Sequence, residues 1–161
     1  MKEKKINKTN ALRILDSLNI NYEIHEYSDE ITDGVEVSKL INKDPNCVFK
    51  TLVTVNNNNL YYVFMVPVNE TLDLKKAAML TNSKSIEMIK QKDLLPLTGY
   101  VHGGCSPIGM KKNFPTFIDE SAMLFDTICF SGGKKGLNIE LDPSILIDTF
   151  HISTGDVCKA H

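Results

Sequence analysis

Apolar residues recur at helical spacing between Thr9 and Leu18, where Ala11, Leu15 and Leu18 repeat with Leu12 and Ile14 beside them, and this pattern predicts an amphipathic helix. Asn19 to Asn21 breaks it, and Tyr22 to Tyr27 then alternates apolar with polar residues as a half-buried strand does. Gly34 to Ile41 reads as a second short helix stopped by Asp44-Pro45-Asn46. Cys47 to Val55 and Leu60 to Val68 are rich in β-branched and aromatic residues, and the asparagines from 56 to 59 join them as a hairpin. Leu72 to Leu80 carries helix formers behind Asn69-Glu70-Thr71, and a further helical stretch is expected from Ser85 to Lys92, ending before Pro96. Pro96 to Pro115 is irregular and glycine-rich, a length of loop that is either functional or disordered in compact domains. Thr116 to Ile118, Ile128 to Ser131 and Leu137 to Leu141 are expected to complete a sheet, with Gly132 to Gly136 as a turn. Asp142-Pro143 opens a final helix over Ser144 to Thr149. Strands and helices mixed without strict βαβ alternation argue for an α+β fold.

At 161 residues the chain is expected to form one domain, long enough to bury a core without staples. Its 42% hydrophobic and 24% charged residues are ordinary for a soluble protein. Cys47, Cys105, Cys129 and Cys158 show neither a CxxC pair nor zinc-like spacing, and His25, His102, His151 and His161 are dispersed, so no disulfide framework, metal or cofactor is indicated. The lysine-rich start continues into Ile6, Asn7 and Lys8 rather than an apolar run, which is unlike a signal peptide, and no segment has the apolar length of a membrane span. A cytoplasmic location without membrane association is therefore expected. The net charge of −2 argues against general nucleic-acid binding. Lysine pairs at Lys111-Lys112 and Lys134-Lys135 flank glycine-rich loops and would form a local basic rim if those loops meet, whereas Lys75-Lys76 reads as solvated helix surface.

Three motifs carry the chemistry. The loop Gly103-Gly104-Cys105-Ser106-Pro107-Ile108-Gly109, followed by Lys111-Lys112, combines glycines free to adopt positive φ with a proline that fixes the exit. Its main-chain amides suit a carbonyl oxygen or a phosphate, although Gly-Gly before Ser-Pro is equally the composition of a tight surface turn. Val48-Phe49-Lys50-Thr51-Leu52-Val53 places a lysine in an apolar strand, either partly buried or guarding an edge. Ser131-Gly132-Gly133-Lys134-Lys135-Gly136-Leu137 lacks the Gly-Lys-Ser/Thr ending of a phosphate loop and is first a hairpin turn.

In this order, with Lys8-Thr9-Asn10-Ala11 at the start, the motifs resemble the bacterial YbaK/EbsC family of Cys-tRNA(Pro) deacylases, within the prolyl-tRNA editing superfamily, over nearly the whole chain. The resemblance implies a curved, barrel-like mixed sheet flanked by helices. It implies that Lys50 is the key active-site residue, with Thr51 from the same motif beside it, and that the loop from Gly103 through Gly104 and Ser106 to Pro107 lines the aminoacyl pocket. Tyr27 and Ser131 are suggested as polar pocket residues, although by pattern alone Tyr27 is a strand-end aromatic and Ser131 a turn residue. No protein nucleophile stands out. Cys105 with His102, or Ser106 with His102 and a distant aspartate, can be drawn as dyad or triad, but neither arrangement is needed.

The resemblance further implies hydrolysis of cysteine mischarged onto proline tRNA, with main-chain stabilisation of the oxyanion and assistance from the substrate's own thiol. Cysteine and proline are close enough in size that one pocket discriminates only about 10–200-fold, so a second site must sort the product. The substrate partner would be tRNA(Pro) carrying cysteine, and prolyl-tRNA synthetase is the protein partner the family suggests. Two rival readings stay open: a non-catalytic aminoacyl-tRNA or nucleotide-binding module, and a deacylase for another small amino acid, as on Ala-tRNA(Pro).

Overall fold

The computed structural model describes residues 7–161, so the lysine-rich start, read above as unlike a signal peptide, lies outside the described residues. Thr9 accepts the Leu12 N–H and opens α1 (Asn10–Ser17), which buries Ala11, Leu12 and Leu15, while Leu18 caps the helix and is exposed. After β1 (Glu23–Glu26), the Asp33 carboxylate accepts the Glu36 N–H and starts α2 (Gly34–Leu40). The asparagine turn joins β2 (Phe49–Asn56) to β3 (Tyr61–Pro67), with the Asn56 side chain accepting the N–H groups of Asn58 and Leu60. Helix α3 (Leu74–Leu80) starts later than its residue composition suggests, because Asp73 accepts the amides of Lys75 and Lys76.

The helix expected from Ser85 to Lys92 is absent. Ile86–Met88 is strand β4, pairing antiparallel with Thr54 to Asn56, and α4 (Gln91–Thr98) begins only afterwards with Pro96 inside it. An available sheet edge and the burial of Ile86 override local propensity here. Gly99, at φ 83°, ends α4 in the left-handed region, which its missing Cβ permits.

Strands β5 (Thr116–Asp119), β6 (Ile128–Ser131) and β7 (Leu137–Leu141) were expected in one sheet but divide between two. Helix α5 (Pro143–Phe150) and the short β8 (Ser153–Gly155) close the chain. One sheet has the order β1-β7-β6 and the other β4-β2-β3-β5-β8. An isolated parallel bridge between Val48 and Cys129 links them, so the fold is α+β but the curved, barrel-like sheet does not close. Between the sheets and helices α1 and α5 lies the main core, built from Leu12, Leu15, Phe49, Met65, Phe130, Ile139 and Leu146. Each such side chain, fully buried, contributes about 1.5–3 kcal/mol. Among the described residues no helix is long and apolar enough to cross a membrane.

Candidate active site

Where the two sheets part, a cavity of about 460 Å³ opens between the start of β2, the polar face of the smaller sheet and the glycine loop. Register explains that face. Ser131 lies opposite Asn138, Asn138 opposite His25 and Cys129 opposite Glu140, so these side chains share one side of β1-β7-β6 while Ile24, Leu137 and Ile139 pack into the core.

Lys50, Thr51, Tyr27, Gly103 and Ser131 all line this cavity. Lys50 is half-buried and has no carboxylate partner among the described residues. Tyr27 accepts a hydrogen bond from Asn138 Nδ2 at 3.0 Å, and burial raises its phenol above the usual range. Ser131 Oγ accepts the Gly133 N–H at 3.2 Å, serving the turn and the wall together.

The glycine loop divides. Gly103, at φ 84°, lies on the cavity, and a Cβ there would meet Thr32 Cγ2 at 2.9 Å. Gly104 does not line the cavity and has no positive φ. A Cβ on it would lie 2.8 Å from the backbone of Lys134 and Lys135, so glycine is required for the close approach of the two loops. Its N–H donates to the Val101 carbonyl at 2.9 Å and is not available to a ligand. Ser106 is fully buried and its Oγ accepts the Ile108 N–H, while Pro107 lines a separate hollow with Lys112 and Phe114. These three residues shape the loop rather than the cavity wall. Of the basic pairs flanking the loops, Lys134-Lys135 packs on the Gly103-Gly104 bend and Lys111 lies beside Gly99.

The N–H groups of Gly103 and Cys105 donate to no acceptor among the described residues. A third main-chain position joins them through the open edge of β2. Val48 accepts from Val68 on the β3 side and Val53 accepts from Ile89 on the other, so alternation turns the Thr51 N–H and C=O away from β3. Pairing on that side runs from Val53 to Asn57 along β4 and resumes at the Val48 bridge, which leaves the Thr51 main chain outside the ladder at the cavity edge.

Cys105 lines the cavity, but burial pushes its thiol up to about 12, and it packs with Val53, Val63 and Tyr100. Its apolar neighbours suit a wall residue, and no hydrogen bond joins it to His102 among the described residues.

Asn138 escaped sequence reasoning because one asparagine in an apolar strand has no motif. Its Oδ1, like Thr51 Oγ1, is buried without a hydrogen-bond partner. Further along the same face, His25, Cys129 and Glu140 bring one ligand atom each within 4.8 Å of one another, the metal-ligand types that sequence spacing did not bring together. Glu140 is already engaged by Thr127 Oγ1 at 2.6 Å, His25 Nε2 at 2.7 Å and Lys43 Nζ at 3.0 Å. Burial alone would raise its carboxyl, but these hydrogen bonds outweigh it and bring the group down to about 2. Lys43 supplies the cation, so the cluster is a neutralised ion-pair network unsuited to a metal.

A family model described as an aminoacyl-tRNA editing domain matches residues 29–149. The "Putative Cys-tRNA(Pro)/Cys-tRNA(Cys) deacylase EbsC" of Enterococcus faecalis is 41% identical over 148 residues, covering 91% of this chain and 90% of that protein. The solved structure of a "putative trans-editing enzyme for prolyl tRNA synthetase" superposes with TM-score 0.82 at 21% identity, over 94% of this chain and 98% of that one. A hypothetical protein of known structure superposes with TM-score 0.87 at 17% identity, over 94% and 100% of the two chains. At such identities the two structures establish the fold.

Proposed function

The chain belongs to the aminoacyl-tRNA editing domain family, and from that premise we propose that it is a single-domain trans-editing enzyme that hydrolyses the ester of Cys-tRNA(Pro). The observation that carries the reading is the meeting of Lys50 with the Gly103 loop on one cavity of a size suited to an aminoacyl end. Lys50 holds the phosphate and ribose of the terminal nucleotide, its ammonium being free of any carboxylate among the described residues. The N–H groups of Gly103, Cys105 and Thr51 are the donors available to the oxyanion, and one such donor contributes about 2.7–4 kcal/mol to the transition state.

With the Cys105 thiol protonated, the substrate supplies the nucleophile. Its thiol sulfur attacks the adjacent ester carbonyl, the C–S bond forms as the C–O bond to ribose breaks, and the thiol proton passes to the ribose oxygen. Water then opens the resulting thiolactone to free cysteine. The protein's contribution is orientation and charge stabilisation. A net charge of −2 gives the chain little general affinity for RNA, so prolyl-tRNA synthetase is the partner that selects the tRNA, and the cytoplasm is where both meet.

Incubation with Cys-tRNA(Pro), Ala-tRNA(Pro) and Pro-tRNA(Pro), following loss of each ester, tests the proposal. Cysteine should be released at least about tenfold faster than the others, within the discrimination one pocket supplies. Faster release of alanine would move the assignment to that amino acid, and binding without turnover would make the chain a recognition module.

A further inference from the structure

A second hollow, about 660 Å³, shares Lys50 and Leu52 with the first and lies on the α3 side of the larger sheet. Its apolar floor follows from register. Met88 sits opposite Thr54, which shares a face with Leu52 and Lys50, and Leu74 of α3 adjoins them. Met88 and Leu74 both line this hollow and both are exposed, unusual for large apolar side chains in a concave surface. The rim carries Lys50, Lys75 and Lys159. Lys75 and Lys159 have no ion-pair partner among the described residues, whereas neighbouring Lys76 is tied to Asp156 at 3.0 Å. The one carboxylate in the lining, Asp73, is engaged in capping α3.

An apolar floor inside a ring of ammonium groups suits one unpaired nucleotide, the base lying on the floor and its phosphates reaching the lysines. The ester of an aminoacyl-tRNA sits on the terminal ribose, and the strand leaves that ribose through its 5′ phosphate. With the acyl group in the first cavity, Lys50 leads from it into this hollow, and the exposed Lys134-Lys135 turn beside Gly103 is the competing basic exit. The route across Lys50 offers the exposed Leu74 and Met88 as an apolar surface for a base. We propose that the second hollow binds the nucleotide preceding the terminal adenosine of the acylated strand, so that Lys50 sits between two nucleotide subsites. The inference rests on the deacylase reading above.

Two stable amide analogues separate the claims: cysteine amide-linked to 3′-amino-adenosine, and the same group at the 3′ end of a cytidylyl-cytidylyl-adenosine trinucleotide. Binding of each is measured by calorimetry over a salt series for the wild type, Lys75→Gln, Lys159→Gln and Lys134→Gln. The expected result is tighter binding of the trinucleotide by the wild type. Lys75→Gln and Lys159→Gln should each remove about three- to tenfold of that advantage and lower the salt slope by about 0.7, leaving the adenosine analogue unaffected. Equal affinity for the two analogues, or an advantage lost only in Lys134→Gln, overturns this inference and leaves the deacylase reading intact. Failure of the wild type to bind either analogue overturns both.

Discussion

Thr51 Oγ1 and Asn138 Oδ1 come from different sheets, yet both are sealed from solvent without a hydrogen-bond partner, in side chains that line the cavity holding Lys50. A buried polar atom left unpaired costs about 1–3 kcal/mol, and under the proposed function this pair marks the wall against which the acyl group lies. Thr51→Val keeps the branched shape and removes the hydroxyl. It should cost no stability and gain up to about 1 kcal/mol, raising the melting temperature by up to about 2–4 °C, while kcat/KM for Cys-tRNA(Pro) falls about tenfold. Thermal denaturation and single-turnover deacylation measure the two effects, and a joint loss of both would assign Thr51 to packing.

Cys105 gives the opposite expectation. Its thiol is buried and held up to about 12, so little thiolate exists at pH 7. Cys105→Ala should leave kcat/KM within about threefold of wild type, and iodoacetamide should modify the native thiol far more slowly than the unfolded one. Abolished deacylation in Cys105→Ala would restore a covalent protein nucleophile to the mechanism.

Glu140 is expected to carry part of the acid dependence of stability. Its carboxyl sits near 2 in the fold, below its ordinary value of 4.5, so its contribution is complete above about 4.5 and disappears as the pH falls toward 2. Glu140→Gln, which leaves Lys43 without its carboxylate, should cost about 1–3 kcal/mol at pH 7 and reduce the steepness of acid unfolding between those limits. Melting curves at pH 7, 4 and 3 for both proteins give the comparison, and equal pH dependence would remove Glu140 from the account.

Most of the fold was legible because its signals are local. Asp142 before Pro143 reads as a helix cap and is one, and the asparagine run makes the β2–β3 turn. What escaped is set by distance along the chain. Nothing near Ser85 tells that Thr54 to Asn56 offers a sheet edge, so β4 was read as helix, and nothing near Thr116 says that β5 joins β3 rather than β6. The site divides in the same way. Lys50 and the Gly103 loop stand out as residues, but Asn138 enters the cavity only through its register with Ser131 and His25. Both glycines of the pair were expected to bare their amides, yet Gly104 is small so that Lys134 and Lys135 can approach, which sequence does not reveal.

The role of Lys50 is tested most directly by deacylation of Cys-tRNA(Pro) under single-turnover conditions with wild type and Lys50→Ala, alongside their melting temperatures. Because Lys50 has no ion-pair partner among the described residues, the substitution should leave stability within about 1 kcal/mol while the rate falls at least about a hundredfold. An unchanged rate in a folded Lys50→Ala protein would contradict the account.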